Sequence, residues 1–162
     1  RMKSDPRLRD IPVVVLSFSS AQQDIAAAYD AQASSYLQKT GDLDSFRADI
    51  EALQRYWTDV VALPPVRNVD DEAHEPRHRG VVPELRVLVV EDSAYMRKLL
   101  GELLHALEVG TILEAENGED GWAKFQDYVP DIVLTDAAME PTNGFDLLRR
   151  IRRPTAAHKR RV

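Results

Sequence analysis

Three carboxylates stand where two apolar runs break off. Leu85-Arg86-Val87-Leu88-Val89-Val90 ends in Glu91-Asp92-Ser93, and Ile132-Val133-Leu134-Thr135 ends in Asp136. Apolar runs of this length, bounded by polar residues, suit parallel strands covered on both faces. Ligands of an open α/β sheet bind beyond the carboxyl ends of its strands, so the pattern brings Glu91, Asp92 and Asp136 to one place. Converging there, they repel one another unless a divalent, oxygen-seeking cation lies between them. Such a cluster prepares an aspartate for phosphoryl chemistry.

The elements that must position these groups fall into three stretches. Residues 1–62 read as half of an α/β unit: a strand over Ile11 to Leu16, stopped by Ser17, then a helix from Ala21 to Asp30 with Ser20 as N-cap and Ile25, Ala28 and Tyr29 buried. A strand over Ser34 to Gln38 follows, ended by Lys39-Thr40-Gly41. Asp42 or Asp44 then starts a longer helix with Phe46, Ile50, Leu53 and Trp57 on one face. Residues 63–84 hold four prolines and no helical or strand period, which predicts a linker. Residues 85–162 form the other half-unit: strands at 85–90, 111–115 and 131–135, with helices at about 93–107, 119–128 and 145–152.

Composition narrows the function classes. The absence of cysteine excludes disulfides, thiolate zinc sites and thiol catalysis. A net charge of −6 argues against general nucleic-acid affinity. No apolar stretch approaches the roughly 20 residues of a membrane span, and the first residues lack the apolar core of a signal peptide. These readings predict a cytoplasmic protein with no membrane partner and no direct nucleic-acid partner. His74-Glu75-Pro76-Arg77-His78 spells a zinc-protease signature, but Pro76 breaks the helix that this chemistry needs. His105 reads as a helix-surface residue, Trp57 and Trp122 as partly buried packing residues, and the basic residues from Arg149 to Arg161 as an exposed helix end and loop.

Val89-Val90-Glu91-Asp92-Ser93, followed by Asp136-Ala137-Ala138-Met139 with Pro141 and Asn143-Gly144, resembles the receiver domain of bacterial response regulators, the chemotaxis-regulator-like family. The resemblance implies a flavodoxin-like, doubly wound, five-stranded parallel sheet of order 2-1-3-4-5. It implies that Asp136 takes a phosphoryl group from a phosphohistidine of a sensor histidine kinase or phosphotransfer protein. It further implies that Glu91, Asp92, Asp136 and the backbone carbonyl of Ala138 hold Mg2+. The family more often has two aspartates where Glu91-Asp92 stands.

A receiver also needs a hydroxyl and a lysine at the ends of its last two strands, and these lie upstream. Residues 11–17 and Ala33-Ser34-Ser35-Tyr36-Leu37-Gln38-Lys39 are similar to a receiver's carboxy-terminal half, of the type that serves phytochrome-like sensor kinases. By that resemblance Ser17 is the switch hydroxyl, Lys39 the lysine that pairs with a phosphoryl oxygen, and Tyr36 the aromatic switch residue. Thr40 stands where the family has proline, and Gln32 where a glycine is expected before Ala33.

The chain thus reads as the end of one receiver followed by the beginning of a second, a piece of a tandem-receiver protein. The halves are complementary, and a flexible linker of about 22 residues reaches roughly 25 Å. This predicts that they dock in circularly permuted order, within one chain or exchanged between two as a homodimer. The expected function is a phosphorelay switch with self-catalysed phosphorylation and dephosphorylation, not a conventional enzyme. Its output would lie elsewhere or in a partner. The alternatives are a non-phosphorylatable interaction fragment and an aspartyl-phosphate hydrolase, the latter disfavoured by Ala138 where a second acid would stand.

Overall fold

The computed structural model of the chain describes residues 6–60 and 85–153. The expected linker over 63–84, the His74–His78 motif and the tail residues Lys159, Arg160 and Arg161 lie outside the described residues.

Five parallel strands form one sheet: β1 (Val13–Ser17), β2 (Ser35–Gln38), β3 (Arg86–Val90), β4 (Thr111–Ala115) and β5 (Ile132–Asp136). Their order is β2-β1-β5-β3-β4. Counted from β3 onward and returning to β1, this is the doubly wound order 2-1-3-4-5 of the flavodoxin-like fold. The strand pair that joins the two stretches is β1 with β5, where Val13 lies opposite Val133 and Leu16 opposite Asp136.

Side chains of successive strand residues point to opposite faces, and both faces here are apolar. Val13, Val15, Leu88, Val90 and Val133 face helices α1 (Gln22–Asp30), α4 (Gly118–Tyr128) and α5 (Gly144–Arg152), with Ala28, Phe125, Leu147 and Ile151 packed on them. Val14, Leu16, Val87, Val89 and Leu134 face α2 (Leu43–Arg55) and α3 (Ala94–Ala106) through Phe46, Ile50, Leu100 and Leu104. Every residue of β1 and β5 is buried, as strands covered on both faces require.

The ends of the two stretches meet at the amino edge of the sheet. After α2 a short π-helical segment (Tyr56–Val60) sets Trp57 in the cluster that holds Leu85 and Val87. At the far end of α5, Arg152 reaches into the other stretch. Its guanidinium donates to the carbonyls of Arg9, Ile11 and Gln32, at 2.6, 2.8 and 3.0 Å, and to Ser34 Oγ at 3.4 Å. Burial lowers the pKa of Arg152.

Element bounds follow the sequence pattern within one to two residues, with three corrections. Ser20 does not cap α1: the N-cap is Ala21, and its N–H is taken by Ser19 Oγ at 3.2 Å, a hydroxyl that in turn donates to Asp24. Tyr29 is exposed, because the next residue round the helix from the fully buried Ala28 faces outward. Ile25 is only half-buried. Gln32 does occupy the left-handed region, with φ 68°, in the turn where a glycine was expected.

Candidate functional site

The carboxyl edges of β5, β3, β1 and β2 converge on one pocket. Asp136 is the last residue of β5, and its neighbour Ala137 donates its N–H to Leu16 O at 2.9 Å, tying it to β1. Glu91 follows β3 and is 1% exposed, whereas Asp92 beside it is exposed. Lys39 follows β2; its N–H is held by Ser17 O at 2.7 Å, which sends the side chain back over the sheet edge. The ammonium then donates to Glu91 Oε2 at 2.6 Å and to Asp136 Oδ1 at 2.7 Å. Lys39 is 52 residues from one partner and 97 from the other.

Ligand oxygens of Glu91, Asp92 and Asp136 lie within 4.8 Å of one another. Three carboxylates against the single ammonium of Lys39 leave a charge of −3 + 1 = −2 when all are ionised. An all-oxygen set with that excess suits a hard divalent cation such as Mg2+. Burial raises the pKa of Glu91; the Lys39 hydrogen bond and charge oppose the rise, and the charge of Asp136 adds to it.

The other predicted residues are placed as follows. The Ser17 hydroxyl accepts from Ser19 N–H at 3.1 Å, and the residue is buried next to Leu16, the β1 partner of Asp136. Tyr36 is half-buried, and its hydroxyl donates to Ser19 O at 2.8 Å, so it braces the loop after Ser17 rather than touching the acids. Ala138 is exposed at the start of the loop after β5. Thr40, in place of proline, donates its hydroxyl to Asp42 O at 3.1 Å, and Asp42 caps α2 at Ser45 N–H.

Four contributors escaped the sequence reading of the site. Phe18 lies with its ring centroid 5.2 Å from Lys39 Nζ, at the mouth of the pocket. Arg97 donates to Glu91 O at 2.7 Å, and its position one turn into the helix capped by Ser93 was the available signal. Thr135, fully buried, donates to Asp136 O at 3.1 Å; a hydroxyl inside an apolar run marks it. Gly144, a member of the motif, has a steric reason that only the fold shows: a Cβ there would fall 2.1 Å from Asp136 O. His105 is exposed, Trp122 half-buried and Trp57 buried.

A flavodoxin-like sheet with an acidic pocket at its carboxyl edge defines the class. Within it, residues 87–160, slightly less than half of the chain, match the family model described as the response regulator receiver domain. The chain is 46% identical over 74 residues to a protein-glutamate methylesterase/protein-glutamine glutaminase of Symbiobacterium thermophilum, covering 44% of this chain and 20% of that protein. It is 36% identical over 66 residues to the chemotaxis protein CheY of Thermotoga maritima (41% of this chain, 55% of that protein). To the Bacillus subtilis CheY it is 33% identical over 67 residues (41% and 56%). The chain therefore spans about a fifth of the methylesterase and little more than half of the chemotaxis proteins. No solved structure matches.

The expectation of a switch that is no enzyme is corrected by these matches. The receiver sequence is shared with relatives that are enzymes by name, although the shared part is only about 20% of each. No helix among the described residues is long and apolar enough to cross a membrane.

Proposed function

We propose that the chain is a receiver in which Asp136 accepts a phosphoryl group from a phosphohistidine, on a sensor histidine kinase or a phosphotransfer protein. The observation that carries this reading is the Lys39 ammonium, held 2.7 Å from Asp136 Oδ1 and 2.6 Å from Glu91 Oε2. A lysine so placed orients the Asp136 carboxylate and offers a point charge to an incoming phosphoryl oxygen. As the Asp136 oxygen–phosphorus bond forms, the phosphorus–nitrogen bond breaks and its electron pair leaves with the imidazole. Glu91, Asp92, Asp136 and the Ala138 carbonyl would hold Mg2+, which when bound neutralises the acids and screens the phosphoryl oxygens. Ser17, one residue beyond the strand partner of Asp136, would exchange its bond to Ser19 for one to the phosphoryl group. Tyr36 follows through its own bond to Ser19.

In this reading residues 1–62 and 85–162 are the carboxy-terminal and amino-terminal halves of receivers, joined by 63–84 in circularly permuted order and derived from a tandem-receiver protein. The β1–β5 pairing and the Arg152 bonds support docking within one chain; exchange between two chains would give a homodimer with the same contacts. An interaction fragment whose halves never assemble is disfavoured by the same pairing.

Acetyl phosphate with Mg2+ tests the reading by phosphoprotein labelling. Wild type labels, Asp136→Asn does not, and Lys39→Ala labels weakly. Normal labelling and switching by Lys39→Ala would sink the claim that both halves serve one site. Sustained turnover of unrelated phosphoesters would favour the hydrolase instead.

A further inference from the structure

The loop from Ala137 to Asn143 carries Ala138 and is pinned at both ends. At one end Gly144 donates to Ala137 O at 3.1 Å, beneath Asp136. At the other, Thr142 is held by the first turn of α4. Gly118 N–H donates to Thr142 O at 3.1 Å, and the Thr142 hydroxyl donates to Glu119 Oε1 at 2.9 Å. A Cβ on Gly118 would lie 2.5–2.8 Å from Thr142 atoms, so the approach is as close as backbone allows.

Glu119 is itself fixed. Arg150 of α5 donates to both its oxygens, at 3.1 Å each, and the guanidinium sits 4.7 Å from the Trp122 ring centroid, with Trp122 stacked on the buried Phe125. The Thr142 and Arg150 bonds lower the Glu119 pKa. An exposed ion pair alone adds little stability, but this one has three fixed points and ends on the loop that follows the nucleophile.

We infer that Glu119, oriented by Arg150 and bonded to Thr142, is a positioning residue that sets the loop from Ala137 to Asn143 for cation binding. The inference rests on the receiver reading, in which Ala138 offers its carbonyl to Mg2+. Without the Glu119–Thr142 bond, ordering the loop is charged to the binding step, and affinity drops.

The test uses the full chain with Thr142→Val, Thr142→Ser and Glu119→Gln. Two readouts are taken: amide hydrogen exchange over 137–144 without metal, and Mg2+ titration followed by the amide shifts of Ala137 and Gly144. In Thr142→Val the loop amides exchange faster and Mg2+ binds about three- to ten-fold more weakly, while the melting temperature stays near that of wild type. Glu119→Gln, which loses the Arg150 pairing, weakens binding in the same direction, and Thr142→Ser restores both readouts. Unchanged loop exchange in Thr142→Val overturns the positioning role whatever the metal does. A wild-type chain that binds no Mg2+, with exchange still accelerated in the variant, sinks the metal reading instead.

Discussion

Residues 85–153 supply all three carboxylates of the pocket, whereas residues 6–60 supply its lysine and an interior strand of the sheet. The family match covers the first of these regions and not the second. Yet the matching region is not self-sufficient in physical terms. Without β1 the fully buried strand β5 is left with an open edge. Without Lys39 two carboxylates sit close together in a site of low exposure. Recognisable sequence and energetic completeness are therefore distributed differently, and mutations across the seam separate them.

Lys39→Ala breaks the seam hardest. It strands Glu91 and Asp136 without their counter-charge, both side chains being at most 10% exposed. Removing one partner of such a pair costs about 3 kcal/mol or more. Urea unfolding in EDTA should show the loss, and millimolar Mg2+ should recover part of it, since a divalent cation compensates the same acids. A variant as stable as wild type would mean that Lys39 is an onlooker.

Arg152→Ala tests the same seam at the opposite edge of the sheet. Four hydrogen bonds to Arg9, Ile11, Gln32 and Ser34 are lost, and about 2 kcal/mol should go with them. Arg152→Lys should recover little, because an ammonium cannot span acceptors that a planar fork reaches. Equal stability of Arg152→Lys and wild type would reduce the clasp to a simple charge.

A smaller effect asks whether the region from 6 to 60 is the worse fit. Gln32 there and Glu108 in the other region both adopt positive φ, 68° and 60°, in helix-to-strand turns. Left-handed backbone costs a non-glycine residue roughly 1–2 kcal/mol, and glycine returns part of that as chain entropy. Gln32→Gly and Glu108→Gly should each raise stability by about 0.5–1 kcal/mol. Similar gains place the strain in the turns themselves; a gain confined to Gln32 places it at the seam.

What could be read from sequence follows the same division. Strands with continuous apolar runs and sharp polar ends, such as Val87 to Val90 and Ile132 to Thr135, announce themselves, and so do the acids that end them. Lys39 is legible through its place after a strand and the resemblance of residues 33–39 to a receiver's carboxy-terminal half, since nothing local shows that it meets residues 52 and 97 positions away. Arg152 and Glu119 were illegible as anchors. Their partners are backbone carbonyls and a threonine brought close by the fold, and charged residues at helix ends usually face water. The Ser20 cap failed for a local reason: the helix starts one residue later, at an N-cap Ala21 with no side-chain cap, whose N–H is taken by Ser19.

Acidity gives the finest test, because the regions answer it with opposite signs. Hydrogen bonds from the Ser45 hydroxyl and N–H lower the pKa of Asp42 below the ordinary 3.8. Between that lowered value and 3.8 the unfolded chain binds more protons than the folded one. Stability from this cap is therefore complete above 3.8 and is lost as pH falls through the folded value. Glu91 is raised above 4.5, chiefly by burial. In its window the folded chain holds the extra proton, so stability falls as pH rises from 4.5 toward the raised value and is level beyond it. Denaturant midpoints measured in EDTA across the acid range should show both slopes in wild type. Asp42→Ala should flatten only the rise below 3.8, and Glu91→Gln only the decline above 4.5. An Asp42→Ala curve parallel to wild type throughout would show that Asp42 does not cap α2, and that α2 is held by packing of Phe46 and Ile50 alone.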